Sequence, residues 1–251
     1  MKFLLNYATA AFADAQKTCS ETALSVGEFD VVRSFGPNDL DEQFRLEYDH
    51  ILRFRRGAGY WLWKPYLIYT TLRSLHDGDD LFYCDSGAHF VASAEPLVAL
   101  CRSSHQDVIT FELPYLESQY TKRDAFVLMD CDSARFADTQ QRLASFSIWR
   151  RSAASLDISR EYLRFACDER ILTDQKNTCH KPNYPGFRAH RHDQSILSLV
   201  AKKHRLEAFR DPSQFGNHHI SRYANSLYDQ IIQHTRRGRS RLRQWLAPVA
   251  P

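Results

Sequence analysis

The feature that most limits the folds open to this chain is the spacing of its short apolar runs. KFLLNY (residues 2–7), FDVVRSF (29–35) and LFYC (81–84) are each only a few residues long, and longer segments with apolar residues at helical period lie between them. Runs of this length suit strands, and the segments between them suit helices. LFYC is apolar without alternation, as a strand covered on both faces has to be. The pattern predicts an α/β fold, a Rossmann-like mixed sheet flanked by helices.

The rest of the chain extends this reading. A helix is expected over Phe12–Ala23, and a turn at Gly36-Pro37-Asn38-Asp39. Leu40, Phe44, Tyr48, Ile51 and Leu52 recur at helical spacing and predict a helix over Leu40–Phe54. Pro65 suits the first turn of a helix covering Tyr66–Leu75, where a missing N–H costs nothing. DVITF and RLASFSIW read as further strands, and Leu156–Asp168 and Gln194–His204 as helices, with a Pro-containing loop over Thr178–Arg191. The opening MKFLLNYATAAFADA has the lysine, apolar run and small residues of a signal peptide. Its run is only Phe3-Leu4-Leu5 before Asn6, so a first strand is the expectation. No run approaches the ~20 apolar residues of a membrane span.

Five arginines (Arg236, Arg237, Arg239, Arg241 and Arg243) crowd one short segment, and without them the formal charge of +3 becomes −2. The body is therefore no general nucleic-acid binder. The expected division is a domain over 1–235 and a basic tail over 236–251. With Leu242, Trp245 and Leu246 interleaved, the tail reads as a solvated end, as a contact to an anionic membrane face, or as a segment from which His234, Arg236 or Arg237 folds back over a bound diphosphate. Six scattered cysteines without a CxxC pair point to a reducing, cytoplasmic setting.

Chemistry concentrates in a few places. Open α/β sheets bind ligands at the carboxyl ends of their strands, and Asp85 directly follows LFYC. Asp130 and Asp132 form a literal Asp-x-Asp, but they follow a helix start at Thr121-Lys122-Arg123-Asp124 and rank behind Asp85. Asp193 reads as the N-cap of a helix opening at Gln194, and a helix N-terminus favours a diphosphate or a reacting sugar. Lys64 lies between large apolar residues, where it can serve a phosphate. Trp61 and Trp63 share a side if the segment is extended, and one can stack on a base or sugar. Each feature also has a plainer use: a turn at Asp85-Ser86-Gly87, a cap at Asp193, core packing for the tryptophans.

Arg56–Tyr66 (RGAGYWLWKPY), YCDSG, TKRDAF, RLASFSIW and HRHDQSILSL together span most of residues 1–205. In these the chain resembles a bacterial glycosyltransferase of GT-A fold, of the short kind carrying an RGAGYWLWKPY segment. The order of pieces is similar to that of the retaining galactosyltransferases of family 8. The resemblance implies transfer of a hexose from a nucleoside diphosphate donor, UDP-hexose above all, to a hydroxyl of a surface glycan or lipid-linked glycan, with retention. It implies Asp193 and Gln194 as catalytic residues. Tyr7, Trp63, Lys64, Asp85, Ser86, Gly87, Ser145, His192 and Arg236 would bind the donor. A divalent cation, Mn²⁺ or Mg²⁺, would be held by Asp85 and His219, with His218 the alternative. The enzyme would be cytoplasmic and peripheral on the inner membrane face. Two departures stand out: Gly87 replaces the second metal-binding Asp, and Ala144-Ser145 replaces Ala-Gly.

Two rivals remain. His190-x-His192 followed by Asp193 would suit a metal-dependent hydrolase or oxygenase, with His180 or His218 as a further ligand. A nucleotide-sugar binding module without turnover is the other, made plausible by the incomplete acidic motif.

Overall fold

The computed structural model describes residues 1–235, without the side chains of 219–221. Arg236 and the rest of the basic tail lie outside the described residues. The first strand, β1 (Lys2–Tyr7), is followed by helix α1 (Ala13–Ser25) and β2 (Val31–Phe35). Helix α2 (Trp63–Arg73) leads into β3 (Asp80–Cys84) and the short β4 (Ala88–Phe90). Strands β5 (Val108–Leu116) and β6 (Gln140–Arg150) follow, then α3 (Ala153–Ala166), α4 (Asp193–Lys203), β7 (Ala208–Arg210) and β8 (Ile232–His234).

Six strands form one mixed sheet in the order β2-β1-β3-β6-β5-β7. Only β6 runs antiparallel to its neighbours. Its register with β3 sets Tyr83 opposite Ser147 and Cys84 opposite Phe146, and the Asp85 N–H continues the ladder to the Ser145 carbonyl at 2.9 Å. A second sheet pairs β4 with β8.

Because successive strand residues face opposite sides, neighbours in the same strand enter different cores. Leu5, Tyr83 and Trp149 pack with Leu67, Tyr162 and Leu199 from α2, α3 and α4. Leu4, Phe82 and Ile148 pack on the other face with Cys19, Leu97 and Phe209. This two-sided burial explains the unbroken apolar run of LFYC. Each large side chain buried contributes about 1.5–3 kcal/mol.

Three expected elements differ, one of them the helix expected over Leu156–Asp168, which starts at Ala153 and ends at Ala166. The helix over Leu40–Phe54 is broken into Glu42–Glu47 and Asp49–Leu52, because Tyr48 leaves helical geometry (φ −108°, ψ 20°). The helix expected from Tyr66 begins at Trp63, with Pro65 still in its first turn.

Candidate active-site cleft

The segment before α2 is not extended. Gly57, Ala58, Gly59, Tyr60 and Trp61 all have φ between 50° and 92°, which makes a left-handed turn. A left-handed conformation costs roughly 1–2 kcal/mol for each residue with a Cβ, so Ala58, Tyr60 and Trp61 hold strain. Gly57 and Gly59 are required: a Cβ at Gly57 would lie 2.3 Å from the Trp61 ring, and one at Gly59 2.6 Å from the Leu52 Cα. The turn separates the two tryptophans. Trp63 is buried, stacks on Tyr7 at 3.8 Å and donates to the Gly57 carbonyl at 2.9 Å. Trp61 faces a cleft and stacks on His192 at 5.5 Å.

That cleft, about 670 Å³, crosses the C-terminal rim of the sheet from Asp85 to β7. Lys64, on the first turn of α2, lies at its floor and is 3% exposed. Its Nζ is 2.7 Å from Asp193 Oδ2 and 3.4 Å from Asp85 Oδ1, and it donates to the Ala144 carbonyl at 3.1 Å. Tyr83 donates to Asp85 Oδ1 at 2.6 Å, and Tyr162 reaches Asp193 Oδ2 at 3.5 Å. Burial works against the Lys64 charge, but Asp193 and Asp85 outweigh it and leave the ammonium raised. Burial pushes the Asp193 carboxyl up to about 6, against the pull of Lys64. Near neutral pH the floor thus sets the Lys64 ammonium against the Asp193 carboxylate, which takes up a proton as pH falls through about 6.

Asp193 is the first residue of α4, and His192 occupies the N-cap position without a side-chain capping bond. The capping role expected for Asp193 is therefore absent, since its carboxylate turns to Lys64. Gln194 is fixed from both ends: its amide donates to Gln141 Oε1 at 2.8 Å, and its Oε1 accepts from the Ala144 N–H at 3.4 Å. Gln141 is itself held by the buried Glu117 at 3.1 Å.

The remaining expected residues divide. Ser145 lines the cleft. The Ser86 hydroxyl is buried and donates to the Tyr7 carbonyl, so it ties β3 to β1. Tyr7 faces Trp63 and does not line the cleft. The Gly87 carbonyl accepts from the Thr235 N–H and hydroxyl, both at 3.0 Å. Asp130 is exposed, and Asp132 is paired with Arg123 and Lys181; neither reaches the cleft. His218 is exposed outside the cleft, and the His219 side chain lies outside the described residues. His234, at the end of β8 between Phe146 and Phe215, does line it.

Both candidate metal-binding histidines use both ring nitrogens. His190 donates to the Ile171 carbonyl at 2.8 Å and accepts from the Lys122 N–H at 3.2 Å. His192 donates to the Leu172 carbonyl at 2.9 Å and accepts from Arg56 Nε at 2.9 Å. Burial holds both neutral, His192 at about 4. This does not fit the hydrolase or oxygenase arrangement. A divalent cation at Asp85 fits poorly as well: Gly87 supplies no second carboxylate, and the Lys64 ammonium already faces Oδ1. Among the described residues no group of three or more His, Cys, Asp or Glu side chains is placed to hold a metal ion.

A six-stranded mixed sheet with one antiparallel strand, helices on both faces and the cleft on its C-terminal rim is an α/β fold of the GT-A type. Among solved structures the chain is similar to mouse xyloside xylosyltransferase 1 in its apo form. The identity is 10%, with 93% of this chain and 97% of that chain covered, at a TM-score of 0.50. At this identity the likeness is one of fold. No protein-family model matches the sequence, and no curated protein does.

The glycines of Gly57-Ala58-Gly59 were a readable sign of the left-handed turn that puts Trp61, not Trp63, at the cleft. His234, a candidate from the sequence to reach a bound diphosphate, does line the cleft, whereas Arg210, on a three-residue strand, has no comparable signal.

Proposed function

We propose that the cleft binds a nucleoside diphosphate sugar, a UDP-hexose first, and transfers the glycosyl group to a hydroxyl of a glycan or lipid-linked glycan. The observation that carries the reading is the convergence of Asp85 and Asp193, from strand and helix far apart in sequence, on Lys64 in one cleft. A GT-A-type fold shared with a xylosyltransferase supports it, and a pentose donor belongs in the same screen.

In the transfer, the bond from the anomeric carbon to the diphosphate oxygen breaks and one to the acceptor oxygen forms. Asp193 and Asp85 stabilise positive charge developing on the anomeric carbon, Lys64 keeps both carboxylates in place, and Gln194 lines the sugar. Asp193 is only 4% exposed, with Oδ2 held by Lys64 and Tyr162. An acceptor hydroxyl has poor access to it, which supports assigning the acceptor proton to the departing diphosphate, the same-face course that would retain configuration. Arginines on the cleft wall supply the positive charge that a cation would bring. No helix among the described residues is long and apolar enough to cross a membrane. Contact with an anionic inner membrane face is assigned in this proposal to the basic tail.

The test is a thermal-shift screen of nucleoside diphosphates and their sugars, with and without manganese, followed by donor turnover in wild type and Asp193→Ala. A ligand at 100 times its Kd adds about 2.7 kcal/mol. Loss of a charge used only in the transition state lowers kcat by roughly 10²- to 10³-fold. No stabilisation by any donor ends the proposal; binding without turnover replaces it with the binding module.

A further inference from the structure

Strand β7 ends at Arg210, which lines the cleft on the far side of β6 and β5 from Asp85. Its side chain is fully buried. Tyr228 fixes the guanidinium, with its ring 4.7 Å away and its carbonyl accepting from Nη2. The Tyr228 hydroxyl in turn donates to the Arg210 carbonyl, and the Arg210 N–H reaches Ser226 Oγ at 2.9 Å. Nε and Nη1 are buried and donate to nothing, and no carboxylate among the described residues forms an ion pair with the side chain. The wall beside it is tight: a Cβ on Gly216 would lie 1.9 Å from the Asp211 carbonyl oxygen and 3.2 Å from Arg210 Cγ. Arg222, exposed, lines the same cleft.

A guanidinium is a permanent cation, and burying one with donors unmet destabilises a fold unless a ligand answers it. A planar cation with free N–H groups matches phosphate and carboxylate oxygens. Solvent meets such donors at a surface, but these two nitrogens are buried, on a residue that lines the cleft.

We infer that Arg210, with Arg222, forms a subsite for a phosphate-type oxyanion of a substrate, separate from the Lys64–Asp85–Asp193 floor. The oxyanion belongs to the donor diphosphate or to a phosphate on the acceptor. Only this choice of source rests on the transferase reading; the subsite itself does not.

Calorimetry on the full chain tests the inference with inorganic pyrophosphate, UDP, and glucose 1-phosphate with and without saturating UDP, using methyl glucoside as neutral control. Arg210→Gln is expected to weaken oxyanion binding at least tenfold, Arg222→Gln several-fold, and Arg210→Lys to recover part of the loss. Methyl glucoside should be unaffected, and any fall in the ligand-free Tm of Arg210→Gln should be small, because the lost contacts to Tyr228 are offset by removal of a buried charge that has no ion-pair partner among the described residues. A loss confined to UDP and pyrophosphate puts the oxyanion on the donor. A loss for glucose 1-phosphate at saturating UDP puts it on the acceptor. Wild-type affinities in both Gln variants overturn the inference, as does a lower Tm in Arg210→Gln with oxyanion affinity intact. If Arg210→Gln does not fold, Arg222→Gln decides. Arg210-dependent pyrophosphate binding in a protein without glycosyl transfer would remove the transferase reading and keep the subsite.

Discussion

Lys64 Nζ lies 2.7 Å from Asp193 Oδ2, joining the first turn of α2 to the first residue of α4. Both groups are almost fully buried, and Asp85 approaches the same ammonium from β3 at 3.4 Å. One cation thereby sets the positions of the two acids that the proposed chemistry needs.

Replacing Lys64 with Met leaves Asp193 buried without its partner, and removing one half of a buried pair typically costs about 3–5 kcal/mol. Urea melts should show that loss at pH 7.5. The Asp193 carboxyl, already raised to about 6, rises further without Lys64. The folded state then holds a proton that the unfolded state, near pKa 3.9, has released. Stability of the variant therefore increases as pH falls through 6, and its deficit should be smaller at pH 5.5. A deficit independent of pH would separate Asp193 from the effect.

Turnover is expected to fall on acidification through about pH 6, as Asp193 becomes neutral. The check is a kcat profile from pH 5 to 8 at saturating donor, and a flat profile would remove Asp193 from the rate-limiting chemistry.

A Cβ added at Gly87 meets nothing within 4 Å, and its backbone is outside the left-handed region. Gly87→Asp should fold and gain a second carboxylate for Mn²⁺. Manganese titration should show binding in the variant, while donor affinity of the wild type should be unchanged by EDTA. A wild type that loses donor binding in EDTA would restore the metal to the site.

His190 and His192 are buried and neutral, so the unfolded chain binds protons near pH 6.5 that the folded chain refuses. Their stabilising contribution is complete above that pH and is lost as pH falls toward about 4. For His192 alone the loss is about 2 kcal/mol at pH 5. His192→Asn should flatten this part of the stability profile, opposite in sign to the Asp193 contribution.

At Gly59, a methyl group would meet the Leu52 Cα at 2.6 Å and also be forced to φ 92°. Gly59→Ala should lower the Tm by well over the few degrees that correspond to about 1 kcal/mol in a chain of this size, and circular dichroism melts measure it.

Short unbroken apolar runs and the late amphipathic helix are the legible part of the sequence. KFLLNY became β1 at the expected bounds, LFYC the body of β3, and the Gln194 helix started one residue early. Asp85, Lys64, Asp193, Gln194 and Ser145 meet at one cleft because strand ends and helix starts are brought to the same rim of such a sheet. Strands β4, β7 and β8 have three residues each, too few to show a period. Arg210 is hidden with them. Trp63 was misplaced by assuming an extended chain, although a Gly-x-Gly pair just upstream already argued for positive φ. Asp193 resembled a cap because local sequence cannot announce a lysine that arrives from another helix.

The left-handed turn at residues 57–61 has a consequence for how such chains diversify. Its glycines are pinned by collisions with Trp61 and Leu52 rather than by contact with any reactant. Drift there is punished by loss of folding before catalysis is touched, so RGAGYW would survive in descendants that change substrate or lose turnover. Wherever the string occurs, it is a signature of one wall's contour, and the proposed chemistry rests instead on Lys64, Asp85 and Asp193.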